Sequence, residues 1–123
     1  MESVIDTNVL IASLIKEDVN HENARSKLNG LSRWFIPTIV FHELVWFLKS
    51  VKLDLKLALP FLRHEKCIIT PVTKEDIDFS IKKARKIPED YNDLLILSIA
   101  LRLKKDLVTF DEELKREFER IKS

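Results

Sequence analysis

A chain of 123 residues has the length of one ordinary domain, and 46% apolar with 33% charged residues describes a globular chain with a core. Its 21 basic and 20 acidic residues leave a net charge of +1, which by itself does not point to a nucleic-acid partner. The single glycine, Gly30, excludes a G-x-x-x-x-G-K-[ST] phosphate loop, a G-x-G-x-x-G dinucleotide turn and a G-x-S-x-G elbow; the single cysteine, Cys67, excludes an intrachain disulfide and cysteine-based metal sites.

In chain order, Ser3-Val4-Ile5 is a short apolar run that stops at Asp6, and Val9 to Ile15 continues as an apolar helix. A second helix is expected from His21 to Leu31, with Asn29-Gly30 as its stop signal. Trp34-Phe35-Ile36 reads as a strand closed by Pro37, and a long helix is expected from Thr38 to Leu53. Asp54 caps a further helix reaching His64, with Pro60 as a break or kink, and Cys67-Ile68-Ile69 is a third strand. Thr73-Lys74-Glu75-Asp76 has the form of a helix N-terminus, opening a helix to about Ile87. Pro88 to Tyr91 reads as a loop, after which Asn92 or Asp93 caps an apolar helix to Lys104. Leu107-Val108-Thr109-Phe110 is the fourth strand, and Asp111 caps a charged last helix.

Strands alternating with helices predict one α/β domain over residues 1–123, a three-layer sandwich with a short, mainly parallel sheet and helices on both faces. No basic leader precedes the first apolar run, and the longest such run, Leu94 to Leu101 with Ser98 inside it, falls well short of the about 20 residues of a membrane span. The chain is therefore read as cytoplasmic. In the helix from Thr38, Val40, Phe41, Leu44, Phe47, Leu48 and Val51 cover one face, and Ile39 and Trp46 extend it around the far side. A helix so apolar is buried on two sides or half covered by a second subunit, which makes a homodimer the expected assembly.

Ligands of an open parallel sheet gather at the carboxyl ends of the strands. There this sequence places Asp6-Thr7-Asn8 and Thr109-Phe110-Asp111, while Glu43 and Asp93 are embedded in apolar helices. Each acid has a plainer reading: Asp6, Asp93 and Asp111 can be helix caps, whereas Glu43 sits too far inside its helix for that role. Converging carboxylates repel one another and disfavour joint ionisation, a conflict that a divalent cation resolves, and oxygen donors suit Mg²⁺ or Mn²⁺.

Other chemistries fit less well. His42-Glu43 begins like H-E-x-x-H, but residue 46 is Trp46; His21, His42 and His64 lack ligand spacing; Cys67 lies in an apolar strand. Asp6 as a phosphate-accepting nucleophile stays open, although Asn8 stands where such enzymes commonly place a second Asp.

Together, Val4-Ile5-Asp6-Thr7-Asn8-Val9-Leu10, Glu43, Asp93-Leu94-Leu95-Ile96 with Ala100, and Thr109-Phe110-Asp111 resemble a PIN domain, and more narrowly the VapC-type toxins of toxin–antitoxin pairs. The resemblance spans almost the whole chain; the D-T-N opening and T-x-D closing are its specific parts. It implies a four-acid site of Asp6, Glu43, Asp93 and Asp111 binding Mg²⁺ or Mn²⁺, with Thr7, Asn8 and Thr109 as polar supports. The implied activity is metal-dependent hydrolysis of RNA, and the implied partner is a cognate antitoxin protein. The alternatives are a PIN-like scaffold that binds RNA or protein without cutting, and an RNA-processing nuclease outside any toxin–antitoxin pair. Such domains usually carry a fifth short strand after the last helix, whereas this sequence stops at Ser123, so four strands are expected and a fifth stays open. RNA contact is expected from Lys49, Lys52 and Lys56 on the long helix and just beyond it, and from Lys82, Lys83, Arg85 and Lys86 before the Pro88 loop. A solvated helix face is the plainer reading of either cluster.

Overall fold

The structure is a computed structural model and describes residues 1–84 and 90–122; Arg85, Lys86 and, of the expected loop, Pro88 and Glu89 lie outside them, while Asp90 and Tyr91 are helical rather than loop. Four strands, β1 (Glu2–Ile5), β2 (Arg33–Pro37), β3 (Cys67–Thr70) and β4 (Asp106–Val108), form one parallel sheet in the order β3-β2-β1-β4. Val4 stands opposite Phe35 on one side and Leu107 on the other, so β1 is an inner strand. Ser3, Val4 and Ile5 are all buried, which is why this run shows no polar alternation.

Parallel neighbours cannot be joined by a tight turn, and each connection carries helices. Helices α1 (Thr7–Leu14) and α2 (His21–Gly30) lead from β1 to β2; α3 (Thr38–Ser50), a 3-10 turn (Leu55–Ala58) and α4 (Leu59–Arg63) lead from β2 to β3. Helices α5 (Lys74–Lys83) and α6 (Asp90–Leu103) lead from β3 to β4, and α7 (Glu112–Lys122) follows. The first two crossovers step the same way across the sheet and the third returns to the far side of β1. Right-handed connections then put α1 to α4 against one face and α5 and α6 against the other, giving the expected three layers. Leu10, Ile36, Leu44, Leu48, Ile96 and Leu107, drawn from both helical layers and the sheet, are fully buried in one core.

Several element ends differ from expectation. The helix expected to reach Leu53 stops at Ser50 because Lys52 adopts a left-handed φ of 61°. The Leu53 N–H then reaches back to the Leu48 carbonyl at 2.8 Å, a Schellman closure. Helix α6 ends the same way at Lys104, φ 55°, with the Lys105 N–H on the Ala100 carbonyl at 3.1 Å. Gly30, the expected stop signal, does end α2, but without a positive φ.

The segment from Asp54 to His64 divides into the 3-10 turn and α4, and Pro60 lies in the first turn of α4, where its missing N–H removes no helical bond. Helix α5 stops at Lys83, short of Ile87, as Ala84 turns extended at ψ 138°. Helix α6 opens at Asp90, which places Asn92 and Asp93 inside its first turn and not at its cap. Strand β4 ends at Val108, so Thr109 and Phe110 lead out of the sheet toward α7. Among the described residues there is no fifth strand, and no helix is long and apolar enough to cross a membrane.

One polar group locks the second helical layer. Asp76 has no solvent exposure; it completes a capping box with Thr73 and accepts from the Ser98 hydroxyl at 2.7 Å and the Arg102 guanidinium at 3.0 Å. Burial pushes its carboxyl up, but Arg102, the Thr73 N–H and Ser98 together hold it below the usual carboxylate range. This stabilisation is present above the unfolded value of about 3.9 and is lost as pH falls through the lower folded one. Asp76→Ala should therefore lower stability by about 3 kcal/mol, the low end for breaking a buried ion pair because Arg102 stays partly in water. Urea unfolding at pH 7 checks this; a midpoint equal to wild type would refute it.

Candidate active site

The direction of travel across the sheet reverses between β1 and β4, and the chain leaves both strands at the same edge. Leaving β1, Asp6 keeps its N–H on the Val108 carbonyl at 3.0 Å and caps α1, its Oδ1 accepting from the Thr7 N–H at 2.7 Å. Its other oxygen accepts from the Thr109 hydroxyl at 2.6 Å. That hydroxyl also accepts from the Asn8 amide at 3.3 Å and the Asp111 N–H at 3.0 Å. Asn8 in turn accepts from the Phe110 N–H at 3.1 Å. Thr109 is thus the hub that ties the end of β4 to the end of β1.

Glu43 enters from α3. It accepts from the Thr7 hydroxyl in a short hydrogen bond and from the Asn92 amide at 3.1 Å, which links α1, α3 and α6 through one carboxylate. Asp111 caps α7, its Oδ1 accepting from the Leu114 N–H at 3.1 Å. Asp6, Glu43, Asp93 and Asp111 all line a single cleft of about 590 Å³. Thr7 and Asn8 line it too, whereas Thr109 acts from behind through its hydrogen bonds.

The capping readings of Asp6 and Asp111 are real: each caps its helix through Oδ1, and the second oxygen of Asp6 accepts from the Thr109 hydroxyl while retaining a further lone pair. Asp6 is 4% exposed. Burial raises its carboxyl above the usual range; the Thr109 hydroxyl and Thr7 N–H pull it back, and Glu43 and Asp111 add like-charge repulsion. Among the described residues no three His, Cys, Asp or Glu side chains close into a preformed metal cage. The donor chemistry nonetheless fits a hard divalent cation: four carboxylates from four elements face one space, and the charge of the most buried one is disfavoured without a counter-ion.

Sequence reasoning passed over Asn92, taken there only as a cap; its signal was an amide beside an acid at the head of an apolar helix. It also passed over His42 and Trp46, which line the cleft on the same helix as Glu43, along with Ile11 and Ile39. Lys49, Lys52, Lys82 and Lys83 are exposed, and none of them lines the cleft. Lys82 pairs with Asp78 at 3.0 Å, and Lys83 lies over the Phe79 ring. Cys67 is half-buried, and burial pushes its thiol up, away from nucleophilic reactivity.

Residues 3–118 match the model of the PIN domain family, and the chain belongs to that family. No curated protein matches it significantly. Among solved structures, it resembles VapC20 of Mycobacterium tuberculosis, described as a sarcin–ricin loop cleaving toxin, with a TM-score of 0.81 over 95% of both chains at 12% identity. A chain of a toxin–antitoxin complex from Klebsiella pneumoniae matches with a TM-score of 0.69 at 18% identity, over 90% of this chain and 88% of that one. A chain of VapBC2 from Rickettsia felis, bound to a promoter DNA fragment, gives 0.67 at 22%, over 94% and 92%. At these identities the likeness is one of fold.

Because Asp6 holds its proton more tightly in the folded chain, its ionised form subtracts from stability as pH rises above the unfolded value of about 3.9. In metal-free protein at pH 7, Asp6→Asn should unfold at the same or a higher urea concentration than wild type. That advantage should shrink as pH is lowered toward about 4. A loss of more than about 1 kcal/mol at pH 7 would show that the hydrogen bonds to Thr7 and Thr109 outweigh the burial of charge.

Proposed function

We propose that this chain is a divalent-metal-dependent endoribonuclease and the toxin half of a toxin–antitoxin pair. One observation carries the reading: acids from four separate elements, Asp6, Glu43, Asp93 and Asp111, line one cleft at the edge where an open parallel sheet exposes its ligand site. Two caps and a helix-embedded glutamate have no structural need to face one another. Membership of the PIN family and the fold shared with VapC20 and with chains of toxin–antitoxin complexes support the reading.

In this reading Asp6 and Asp93 are the principal ligands of Mg²⁺ or Mn²⁺, and Asp111 and Glu43 complete or tune the set. When bound, such an ion supplies positive charge to the attacking and leaving oxygens and to the crowded phosphate between them. The chain's own part is positional. Thr109 fixes the orientation of the Asp6 carboxylate and holds Asp111 beside it through the Asp111 N–H. Thr7 and Asn92 fix Glu43, and Asn8 keeps the 109–111 segment against α1. No side-chain nucleophile is required in this reading.

The remaining elements of the proposal are a single domain over residues 1–123, a cytoplasmic setting, an antitoxin partner and a homodimer. The dimer is supported by the partly exposed Val45, Val51, Leu53, Leu55 and Leu57 on α3 and the turn after it.

Wild-type protein should cut labelled single-stranded RNA in Mn²⁺ or Mg²⁺ and stop in EDTA. Asp6→Asn and Asp93→Asn should each slow cleavage by on the order of 100-fold or more. RNA binding without cutting would favour a scaffold, and undiminished cleavage by both variants would sink the assignment. Independently of activity, Mn²⁺ at about 100 times its dissociation constant should stabilise the folded chain by about 2.7 kcal/mol, read as a rise in Tm that Asp6→Asn lacks.

A further inference from the structure

Tryptophan is the side chain with most to gain from burial. Trp34 follows that rule: it is 4% exposed, and its indole N–H donates to the Leu28 carbonyl at 2.9 Å. Trp46 does not, and leaves 73% of its surface in water. It sits on α3 three residues after Glu43 and four after His42, so the three side chains share one helix face. All three line the acidic cleft, and Ile11 and Ile39 add apolar wall.

We propose that the Trp46 indole is the stacking platform for one unpaired nucleobase of the RNA, beside the bond that is cut, and that it makes the enzyme prefer a purine there. This rests on the ribonuclease reading above. The cleft presents four carboxylates, and no described lysine or arginine lines it to draw in the phosphate backbone. Beyond the scissile phosphate, which the proposed cation would take, further substrate affinity inside the cleft is best gained from a contact that adds no negative charge. A flat, neutral base on an indole is such a contact; every base has a π-face, and a purine covers more of the ring than a pyrimidine. A paired base has both faces covered by its neighbours, so the contact selects an unpaired one.

The probes are end-labelled single-stranded oligoribonucleotides that wild type cuts in Mn²⁺, with the same sequences annealed to their complements. Because Trp34 is buried, quenching of tryptophan emission by RNA reports on Trp46; the single strand should quench and the duplex should not. Trp46→Ala should raise KM about 5- to 150-fold, the span measured for stacking one base on an aromatic ring, and leave kcat within about twofold. Trp46→Phe should recover most of the loss. Replacing the purine beside the cut by a pyrimidine should raise KM for wild type and not for Trp46→Ala. An unchanged KM in Trp46→Ala, while wild type cleaves, overturns the stacking and leaves the ribonuclease standing. Absence of cleavage of any RNA by wild type overturns the ribonuclease reading and the stacking with it. A Trp46→Ala protein whose native mass falls from dimer to monomer would assign the indole to a protein interface and overturn the proposal.

Discussion

The arrangement of the cleft depends on keeping a carboxylate, Asp6, almost out of water at the junction of β1 and β4. An ionised group in that position has to be solvated by the protein, and the hydrogen bonds that do so come from the Thr7 N–H and the Thr109 hydroxyl. Thr109 can reach only because β4 ends one residue earlier and turns out of the sheet. Its second duty, accepting from the Asp111 N–H, then fixes where α7 begins. The start of the last helix is therefore set by the same hydroxyl that orients the buried acid. Glu43 is held to the Asp6 side through Thr7 and to α6 through Asn92, so the face carrying α1 and α3 and the face carrying α6 meet at one charged group. Burial above all, with smaller like-charge repulsion from Glu43 and Asp111, holds the Asp6 carboxyl above the usual carboxylate range. A nearby cation would offset both the burial and the repulsion, as the metal-dependent function proposed above requires.

Much of this was legible in the residues. Apolar runs at residues 3–5, 34–36, 67–69 and 107–110 read as strands of a parallel sheet, of which the first two are its inner pair, and the acid following the first and last of them marked the ligand-bearing edge. The T-x-D spacing of Thr109 and Asp111 carried real geometry, since a side-chain oxygen two residues before an N–H is placed to accept from it. What could not be read was where helices stop. Glycine is the usual marker of a left-handed helix end, and the chain's only glycine does not serve in that way. The left-handed positions after α3 and α6 are lysines, Lys52 and Lys104, which in an L-residue cost about 1–2 kcal/mol and give no signal in a sequence so rich in lysine. Tertiary packing imposes those ends: Leu48 and Ala100, whose carbonyls close the two motifs, are themselves buried.

The helix from Thr38 shows the same limit. Its hydrophobic periodicity correctly assigned Val40, Leu44 and Leu48 to the core, but periodicity sorts residues by angle and does not say what stands opposite. Trp46 was grouped with the apolar surface, although the structure turns it toward the carboxylates and water. Asn92 was hidden for a related reason. With α6 assumed to begin at Asn92 or Asp93, the amide had a local role as a cap; once the helix begins at Asp90, that role disappears and the side chain is available to bridge to Glu43.

The near-neutral net charge conceals two separate uses of charge. Some basic side chains are engaged at partly buried positions: Arg102 on Asp76, Lys105 on Glu2, and Lys115 on Asp106 and the Leu107 carbonyl. These pairs fasten helices to one another and to the sheet and are not free to attract a polyanion. Of the lysines left on the surface, none of those described enters the cleft. An RNA strand, the substrate proposed above, would therefore meet long-range attraction that is weak for a chain of net charge +1, and carboxylates at the centre that would repel phosphate until a cation was bound. If the proposed function holds, binding would be ordered: the cation first, since it removes the repulsion, and the strand afterwards, held at short range by contacts indifferent to charge. On the proposed function, that ordering would tie RNA affinity to metal occupancy, and the four carboxylates that hold the cation would also decide when the strand is admitted.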